Sequence, residues 1–383
     1  MRFLHTGDWH VGKLLRGRSR ADEHRAVLSE IVDIARDQGV DVALVAGDLF
    51  DTSSPTAESE EIVYRALLAL ARVTEWVVVI AGNHDNPRRL EAVAPLMQLT
   101  NIRVLSSWAR PEGGGVLTLQ TKLGAARLAL LPFLSQRNII KADDLMLRDA
   151  SDHAGTYAER ASRIIRALCS DAPAPKTVNL LVAHAMVYGG VMGGGEREAH
   201  TIFEYSVPAS AFPPSLHYTA LGHLHRAQRI PGACPIWYAG SPLQLDFGET
   251  EDAKSVNIIE AQPATPAKVE SIPLLSGRRL RLVRTTLARL PELASEAGDD
   301  FFRVELDAPP APGLADRVRE LLPNAVDVQL AIPRRDPAEV ERVRRIGRSP
   351  RELFAEYLSE RGEDDDRLRA LFDELLDEVY ASH

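Results

Sequence analysis

The residues able to do chemistry in this chain sit in five short clusters. They are Leu4-His5-Thr6-Gly7-Asp8-Trp9-His10, Val45-Ala46-Gly47-Asp48, Ile80-Ala81-Gly82-Asn83-His84-Asp85, Val182-Ala183-His184 and Ala220-Leu221-Gly222-His223-Leu224-His225. Carboxylates, imidazoles and one amide, with no thiolate, suit hard to borderline divalent ions, Mn²⁺ first. Mg²⁺ is the second candidate, less comfortable among so many imidazoles. Asp8, His10, Asp48, Asn83, His184, His223 and His225 are seven candidate ligands, too many for one tetrahedral zinc and enough for two ions sharing a bridge. Two ions roughly 3.5–4 Å apart can activate a water and stabilise the attacking and leaving oxygens of an in-line displacement at phosphorus. Taken singly, each cluster is ordinary: Asp-x-His is usually a surface pair, Gly-Asp a common turn, and a lone histidine such as His184 a hydrogen-bonded core residue. Their joint occurrence points to one site.

The elements that must position these clusters are visible as short β-rich apolar runs: Arg2 to Thr6, Val42 to Ala46, Val77 to Ala81, Leu128 to Phe133, Val178 to Ala183 and Tyr218 to Leu221. They read as buried strands. Five of them run straight into a cluster, so ligands are delivered at the carboxyl ends of strands, where α/β sheets bind their ligands. Glycines before Asp48, Asn83 and His223 suit sharp turns beside the metals. Amphipathic stretches from Ala21 to Gln38 and from Glu58 to Val73 have the length of crossover helices, which predicts an α/β layered domain over 1–275. Gly113 to Gly115, Gly189 to Gly195 and Gln262 to Ala267 read as loops or linkers.

A second unit, 276–335, alternates a strand at Arg281 to Arg284, a helix from Pro291, a strand at Phe301 to Leu306, a helix at Leu314 to Leu322 and a strand at Ala325 to Ile332. It is a small α+β module without a catalytic-looking cluster. The remainder, 336–383, begins in a basic segment: Arg334 to Arg351 holds seven arginines against three acids. Ser349-Pro350-Arg351-Glu352 then supplies a helix start. That helix ends near Gly362, and Leu368, Leu371, Phe372, Leu375, Leu376 and Val379 form the apolar stripe of a second one. The stripe either packs on its own domain or docks in a partner's groove.

Composition bounds the rest. The chain has 383 residues, 45% hydrophobic and 26% charged, and no apolar run approaches the ~18 residues a membrane helix needs. The first carboxylate comes too early for a secretory signal, so a cytoplasmic, nucleoid-associated protein without membrane contact is expected. Cys169 and Cys234 stand in unrelated contexts, giving neither a disulfide framework nor a zinc site. A net charge of −9 argues by itself against a nucleic-acid partner, but bound cations would invert the local field. Basic side chains also flank the clusters: Lys13, Arg16, Arg18 and Arg20 after the first, Arg88 and Arg89 after the third, Arg226 after the fifth. These could grip DNA phosphates, although each alone is more simply a solvated surface charge. Aromatic interleaving is sparse, so backbone rather than bases should be read.

Taken together, His-Thr-Gly-Asp-Trp-His-Val-Gly at 5–12, Ala-Gly-Asp-Leu-Phe-Asp at 46–51, Ala-Gly-Asn-His-Asp at 81–85, Ala-Leu-Gly-His-Leu-His-Arg at 220–226 and Tyr-Ala-Gly-Ser-Pro at 238–242 resemble the motifs of the calcineurin-like metallophosphoesterases. They are closer still to the DNA-repair branch, the SbcD family of nuclease subunits. The order of parts is similar too. The resemblance implies a layered β-sandwich flanked by helices, a small α+β capping domain contacting DNA, and C-terminal helices. It implies one ion on Asp8, His10, Asp48 and His225 and a second on Asp48, Asn83, His184 and His223, with Asp48 as the bridge. His84 would protonate the leaving oxygen, oriented by Asp85. Ala183 departs from the glycine or threonine common in that motif.

The resemblance further implies a double-strand exonuclease and hairpin or single-strand endonuclease in double-strand break repair and recombination. Such a subunit works with an SbcC-type, SMC-like ATPase clasped by the C-terminal helices. Helices near Glu58 to Val73 and Arg88 to Leu99 would pair two nuclease subunits in a two-plus-two assembly. ATP binding would belong to the partner, since no Gly-x-x-x-x-Gly-Lys-[Ser/Thr] stretch occurs here. The alternative is a small-substrate phosphodiesterase or phosphomonoesterase on the same two-metal scaffold, and a different class again is a scaffold that has lost catalysis. Against the first stands Asp51, where the superfamily's protein phosphatases carry Asp-Arg-Gly; against the second, the retention of every ligand type.

Overall fold

The structure, a computed structural model, describes residues 1–135, 139, 157–170, 176–196, 206–331, 350–361 and 365–382. Its strands in chain order are β1 (Arg2–Thr6), β2 (Leu14–Leu15), β3 (Arg18–Ser19), β4 (Val42–Val45), β5 (Trp76–Ile80), β6 (Ile102–Leu105), β7 (Val116–Thr121), β8 (Gly124–Leu131), β9 (Thr177–His184), β10 (Tyr218–Gly222), β11 (Gln228–Ile230), β12 (Ile236–Tyr238), β13 (Ser255–Gln262), β14 (Thr265–Pro273), β15 (Leu280–Thr285), β16 (Phe301–Leu306) and β17 (Ala325–Leu330). The helices are α1 (Ala21–Asp37), α2 (Ala57–Val73), α3 (Pro87–Gln98), α4 (Tyr157–Leu168), α5 (Leu290–Glu296), α6 (Leu314–Leu321), α7 (Pro350–Arg361) and α8 (Asp366–Ser382).

Two six-stranded sheets stack face to face, in the orders β14-β13-β1-β4-β5-β6 and β11-β12-β10-β9-β8-β7. Alternation along the strands explains the layers, because successive side chains leave a strand on opposite faces. Phe3, Val42, Leu44, Val78 and Ile80 meet Leu128, Leu180, Val182 and Ala220 between the sheets. Leu4, Ala43, Val45 and Val79 point outward, onto Val27, Ile31 and Ala35 of α1 and Val63 and Leu70 of α2. The second sheet is covered in turn by Ala161, Ile164, Ile165 and Leu168 of α4. Strands buried on both faces read as continuous apolar runs, which is how the sequence betrayed them.

Within each sheet the strands that carry clusters are parallel neighbours: β1 with β4 and β4 with β5 in one, β9 with β10 in the other. All five clusters therefore emerge from carboxyl ends. The expected layered β-sandwich with flanking helices is what forms.

The three-stranded parallel sheet β15-β16-β17 packs Phe302, Val304 and Leu306 on Leu290 and Val318 of its own helices. Phe301 and Val326 turn the other way, onto Leu15 and Phe247. The chain divides into two compact units, Met1–Ala331 and Ile332–His383, so this small module belongs to the first. In the second unit, Phe354 of α7 stacks on Phe372 of α8 with ring centroids 4.1 Å apart. Ser349, Gly362, the side chain of Val379 and the basic run from Arg334 up to Ser349 lie outside the described residues. Among the described residues no helix is long and apolar enough to cross a membrane.

Candidate metal centre

The loops after β1 and β4 run side by side. The amide of Asp8 donates to the Gly47 carbonyl at 2.9 Å, and that of His10 to the Asp48 carbonyl at 3.0 Å. This pairing places Asp8, His10 and Asp48 in one buried spot. It also forces unusual backbone: Asp8, His10, Asp48 and His223 all have positive φ, at 50°, 46°, 50° and 106°. Such conformations cost about 1–3 kcal/mol each in ordinary residues and gather at functional sites. Glycine is required where backbones nearly touch. A Cβ on Gly47, itself at φ +91°, would come within 2.5 Å of His184 Nδ1 and 2.8 Å of the Gly82 amide.

The side chains then interlock. His184 Nδ1 donates to the Ala46 carbonyl at 2.7 Å, which leaves Nε2 facing Asp48 Oδ2 at 3.5 Å and Asn83 Oδ1 at 2.9 Å. His223 Nδ1 approaches the same Asn83 oxygen at 2.8 Å, and its amide donates to both oxygens of Asp8 at 2.9 and 3.1 Å. On the other side of Asp48, His10 Nε2 lies 3.5 Å from Asp48 Oδ2 and 3.1 Å from His225 Nε2. Two triads, His10-Asp48-His84 and Asp8-Asp48-His184, have donor atoms within 4.8 Å of one another, and they share Asp48. All seven expected ligands are thus brought together about Asp48. His84 lies as close to Asp48 and His10 as a ligand would. Ala183, the departure from motif, is a buried strand residue and leaves His184 well placed.

Electrostatics says what this arrangement lacks on its own. Burial, reinforced by the neighbouring Asp48, raises the Asp8 carboxyl to about 7. Burial also opposes ionisation of Asp48, but His184, His10 and His84 hold it well below the ordinary carboxylate range. For His184 burial works to lower the imidazole, yet Asp48 and Asp8 lift it to about 9. His10 is pushed down to about 4 by burial. Buried like-charged groups need a counter-charge, and His10 Nε2 and His225 Nε2, 3.1 Å apart, would as neutral imidazoles both offer lone pairs to one cation. The residues present fit two divalent ions, Asp48 being common to both groups of donor atoms.

One expected role is corrected. His84 is oriented by the main chain: Nδ1 donates to the Asp51 carbonyl at 2.7 Å. The carboxylate of Asp85 instead accepts from the amides of Gly82 at 2.8 Å and Phe50 at 3.1 Å. Asp85 ties the third cluster to the second, and burial raises its carboxyl to about 7.

The expected DNA-gripping cations separate into four groups. Arg20 is corrected outright: it is 1% exposed, bonded through Nε and Nη2 to Glu23 at 3.0 and 2.6 Å and through Nη1 to the Gln244 carbonyl. It cannot reach a phosphate. Arg16 pairs with Asp327 at 3.0 Å and Arg18 donates to the Pro323 carbonyl at 2.8 Å, so both bind the β2–β3 hairpin to the small module. Lys13 sits 3.2 Å from Asp51, Arg89 2.7 Å from Glu60 and Arg226 3.3 Å from Asp252. Arg88 is exposed at the start of α3, beside the Asn86 cap.

Three contributors escape sequence reading. Phe133, just past β8, stacks on His223 with centroids 6.0 Å apart; its position at another strand end was the available signal. Asp51 acts twice, through its carbonyl on His84 and through its carboxylate, 3.6 Å from His10 Nδ1. Glu249, bonded to His225 Nδ1 at 3.0 Å, has no signal in spacing.

Comparison with known proteins agrees with this geometry. The calcineurin-like phosphoesterase family model matches residues 1–227. The chain is 37% identical over 284 residues to the SbcD subunit of the SbcCD nuclease of Bacillus subtilis (strain 168), covering 73% of this chain and 71% of that one. It is 34% identical to the SbcD subunit of Rhodobacter capsulatus over 307 residues, covering 76% and 74%. Against that of Escherichia coli (strain K12) it is 30% identical over 300 residues, covering 76% and 72%. Motifs, buried centre and relatives agree: the chain belongs to the calcineurin-like phosphoesterases and, within them, to the SbcD family.

Proposed function

We propose that this chain is the nuclease subunit of an SbcCD complex, a two-ion DNA phosphodiesterase that uses Mn²⁺ and acts in DNA double-strand break repair and recombination. The observation that carries the reading is the convergence of ligands from five strand ends on Asp48. A pair of divalent ions held there would supply Lewis-acid polarisation of a phosphodiester and acidify the attacking water. Asp48 would serve both ions, with Asn83, His184 and His223 holding one and Asp8, His10 and His225 the other. His84, held by the Asp51 carbonyl, is set to pass a proton from Nε2 to the leaving oxygen. Lys13 and Arg88 border the loops of this centre and meet DNA phosphates, with Arg89 and Arg226 able to exchange their surface carboxylates for the same contact.

The partners follow from what is left uncovered. Leu68 on α2, Leu96 on α3 and the following Leu99 are exposed, which supports pairing of two nuclease subunits through these helices. In the second unit Leu368, Leu371 and Leu375 of α8 are exposed, supporting their docking on an SMC-like ATPase. Incubation with Mn²⁺ and a labelled DNA hairpin or blunt duplex tests the activity. Cleavage is expected; hydrolysis of nitrophenyl phosphate with DNA left intact would replace this reading by the small-substrate phosphoesterase.

A further inference from the structure

Beyond the ligands themselves lies a buried polar group that none of the five motifs contains. Glu249, wholly buried on the turn Phe247–Glu249, accepts from His225 Nδ1 through Oε1 at 3.0 Å. Its other oxygen, Oε2, accepts from Lys254 Nζ at 2.7 Å and from the Leu245 amide at 3.0 Å. Both are obligate donors. The carboxylate is therefore committed as an acceptor on each side, which places the imidazole proton of His225 on Nδ1. In the neutral ring the Nε2 lone pair then faces His10 Nε2, 3.1 Å away. Lys254, itself buried, also donates to the His225 carbonyl at 3.1 Å and to Ser241 Oγ at 2.9 Å, so the carboxylate is neutralised where it lies.

Two glycines of the stretch 189–195 find their reason here. A Cβ on Gly195 would stand 2.9 Å from His225 Nδ1 and closer still to Glu249 Oε1; one on Gly193 would stand 3.3 Å from Glu249 Cγ and 3.4 Å from His225 Cβ. Glu196 clamps the loop in place, accepting from the amides of Gly193, Gly194 and His225 at 2.8, 2.8 and 2.9 Å. At 193 and 195 the loop is bare because the histidine–carboxylate pair needs the space.

We infer that Glu249 is a positioning residue for metal binding, fixing the tautomer and ring plane of His225, with Lys254 balancing its charge and Gly195 leaving it room. The inference rests on the two-ion reading above. Carboxylates behind ligating histidines raise metal affinity typically 10–100-fold.

Glu249→Gln tests it sharply. The single amide oxygen is drawn to Lys254 and the Leu245 amide, so the amide NH₂ faces His225 Nδ1 and drives the imidazole proton onto Nε2, the ligating nitrogen. Mn²⁺ alone is titrated into the metal-free full chain, with free Mn²⁺ read by electron paramagnetic resonance and metal-free thermal stability measured alongside. One of two ions should bind 10–100-fold more weakly in E249Q, the other unchanged. Gly195→Ala, which removes no polar group, should weaken the same ion several-fold. It carries the test alone if E249Q does not fold. Two ions bound at wild-type affinity by every folded variant, whatever the change in thermal stability, would make Glu249 a purely structural anion and overturn the inference while leaving the two-ion reading intact. A wild-type chain that takes up no Mn²⁺ would remove the two-ion reading and the positioning role together.

Discussion

His5 offers a quantitative test of how the sandwich interior beneath the centre is built. It lies between the sheets, fully buried, sharing a hydrogen bond of 2.9 Å with the Tyr218 hydroxyl, which also accepts from Asn257 Nδ2 at 3.4 Å. Burial lowers its imidazole from 6.5 to about 3. A folded value below the unfolded one means that the unfolded chain takes up the proton first, so the stability due to neutral His5 is complete above pH 6.5 and drains away as pH falls toward 3. At pH 5 the folded ring is still neutral, and the loss depends only on the unfolded chain: one and a half pH units at about 1.4 kcal/mol each, or about 2 kcal/mol. Glutamine at this position can accept from Tyr218 and does not titrate. Urea denaturation of the metal-free wild type and His5→Gln should therefore show a pH 8 to pH 5 loss about 2 kcal/mol larger in the wild type. Histidines common to both proteins cancel in the difference. Identical losses would mean that His5 is charged or solvated in the folded state, and the interior described here would be wrong.

Three further outcomes are expected. His84→Ala should still bind two Mn²⁺ ions but lose DNA cleavage, measured by metal titration beside a hairpin-nicking assay; loss of an ion would make His84 a ligand. Arg20→Met should lower stability by about 3–5 kcal/mol, because it strands Glu23 in a nearly buried position, while duplex affinity stays at the wild-type value in a filter-binding assay; the reverse pattern would restore Arg20 to the DNA surface. Deleting 349–383 should leave Mn²⁺-dependent cleavage in place and abolish co-purification with the ATPase, and survival of that complex would refute docking through α7 and α8.

Local pattern carried the ligands and failed for what lies behind them, for a physical reason. Asp8, Asp48, Asn83, His184 and His223 each stand at or just past the end of a strand that is buried on both faces, so an apolar run announces the element and its end announces the site. Arg16, Arg18 and Arg20 look alike in sequence, yet Arg20 alone among them is buried, since the Gln244 carbonyl lies 224 positions away along the chain. Asp85 follows His84 directly, and adjacency suggested a pair. The loop turns instead so that the Asp85 carboxylate closes on Gly82 and Phe50, and the Asp51 carbonyl takes the imidazole. Glu249 reaches His225 across the turn following the Tyr-Ala-Gly-Ser-Pro motif, a contact made by folding rather than by spacing.

The backbone of the centre argues that its geometry serves binding rather than stability. Of the seven non-glycine residues at positive φ among the described residues, four are expected ligands: Asp8, His10, Asp48 and His223. Asparagine or glycine would relieve this strain at little cost to the fold, but neither supplies an anionic oxygen or an imidazole nitrogen. The strain is sustained by the paired loops after β1 and β4, whose amides and carbonyls bond to each other, and by sheets whose core lies directly beneath. Glycine is kept at 47, where His184 and the third cluster crowd the main chain. Candidate ligands strained in this way on a packed double sheet would have their donor atoms in place ahead of an ion, so that binding energy would not be spent on assembling the site. Asp48→Asn relaxes one of these turns but takes the carboxylate from buried His184, so it should both weaken Mn²⁺ binding and lower the stability of the metal-free protein near neutral pH; a stability loss together with unaltered Mn²⁺ affinity would show that Asp48 serves the fold and not the ions.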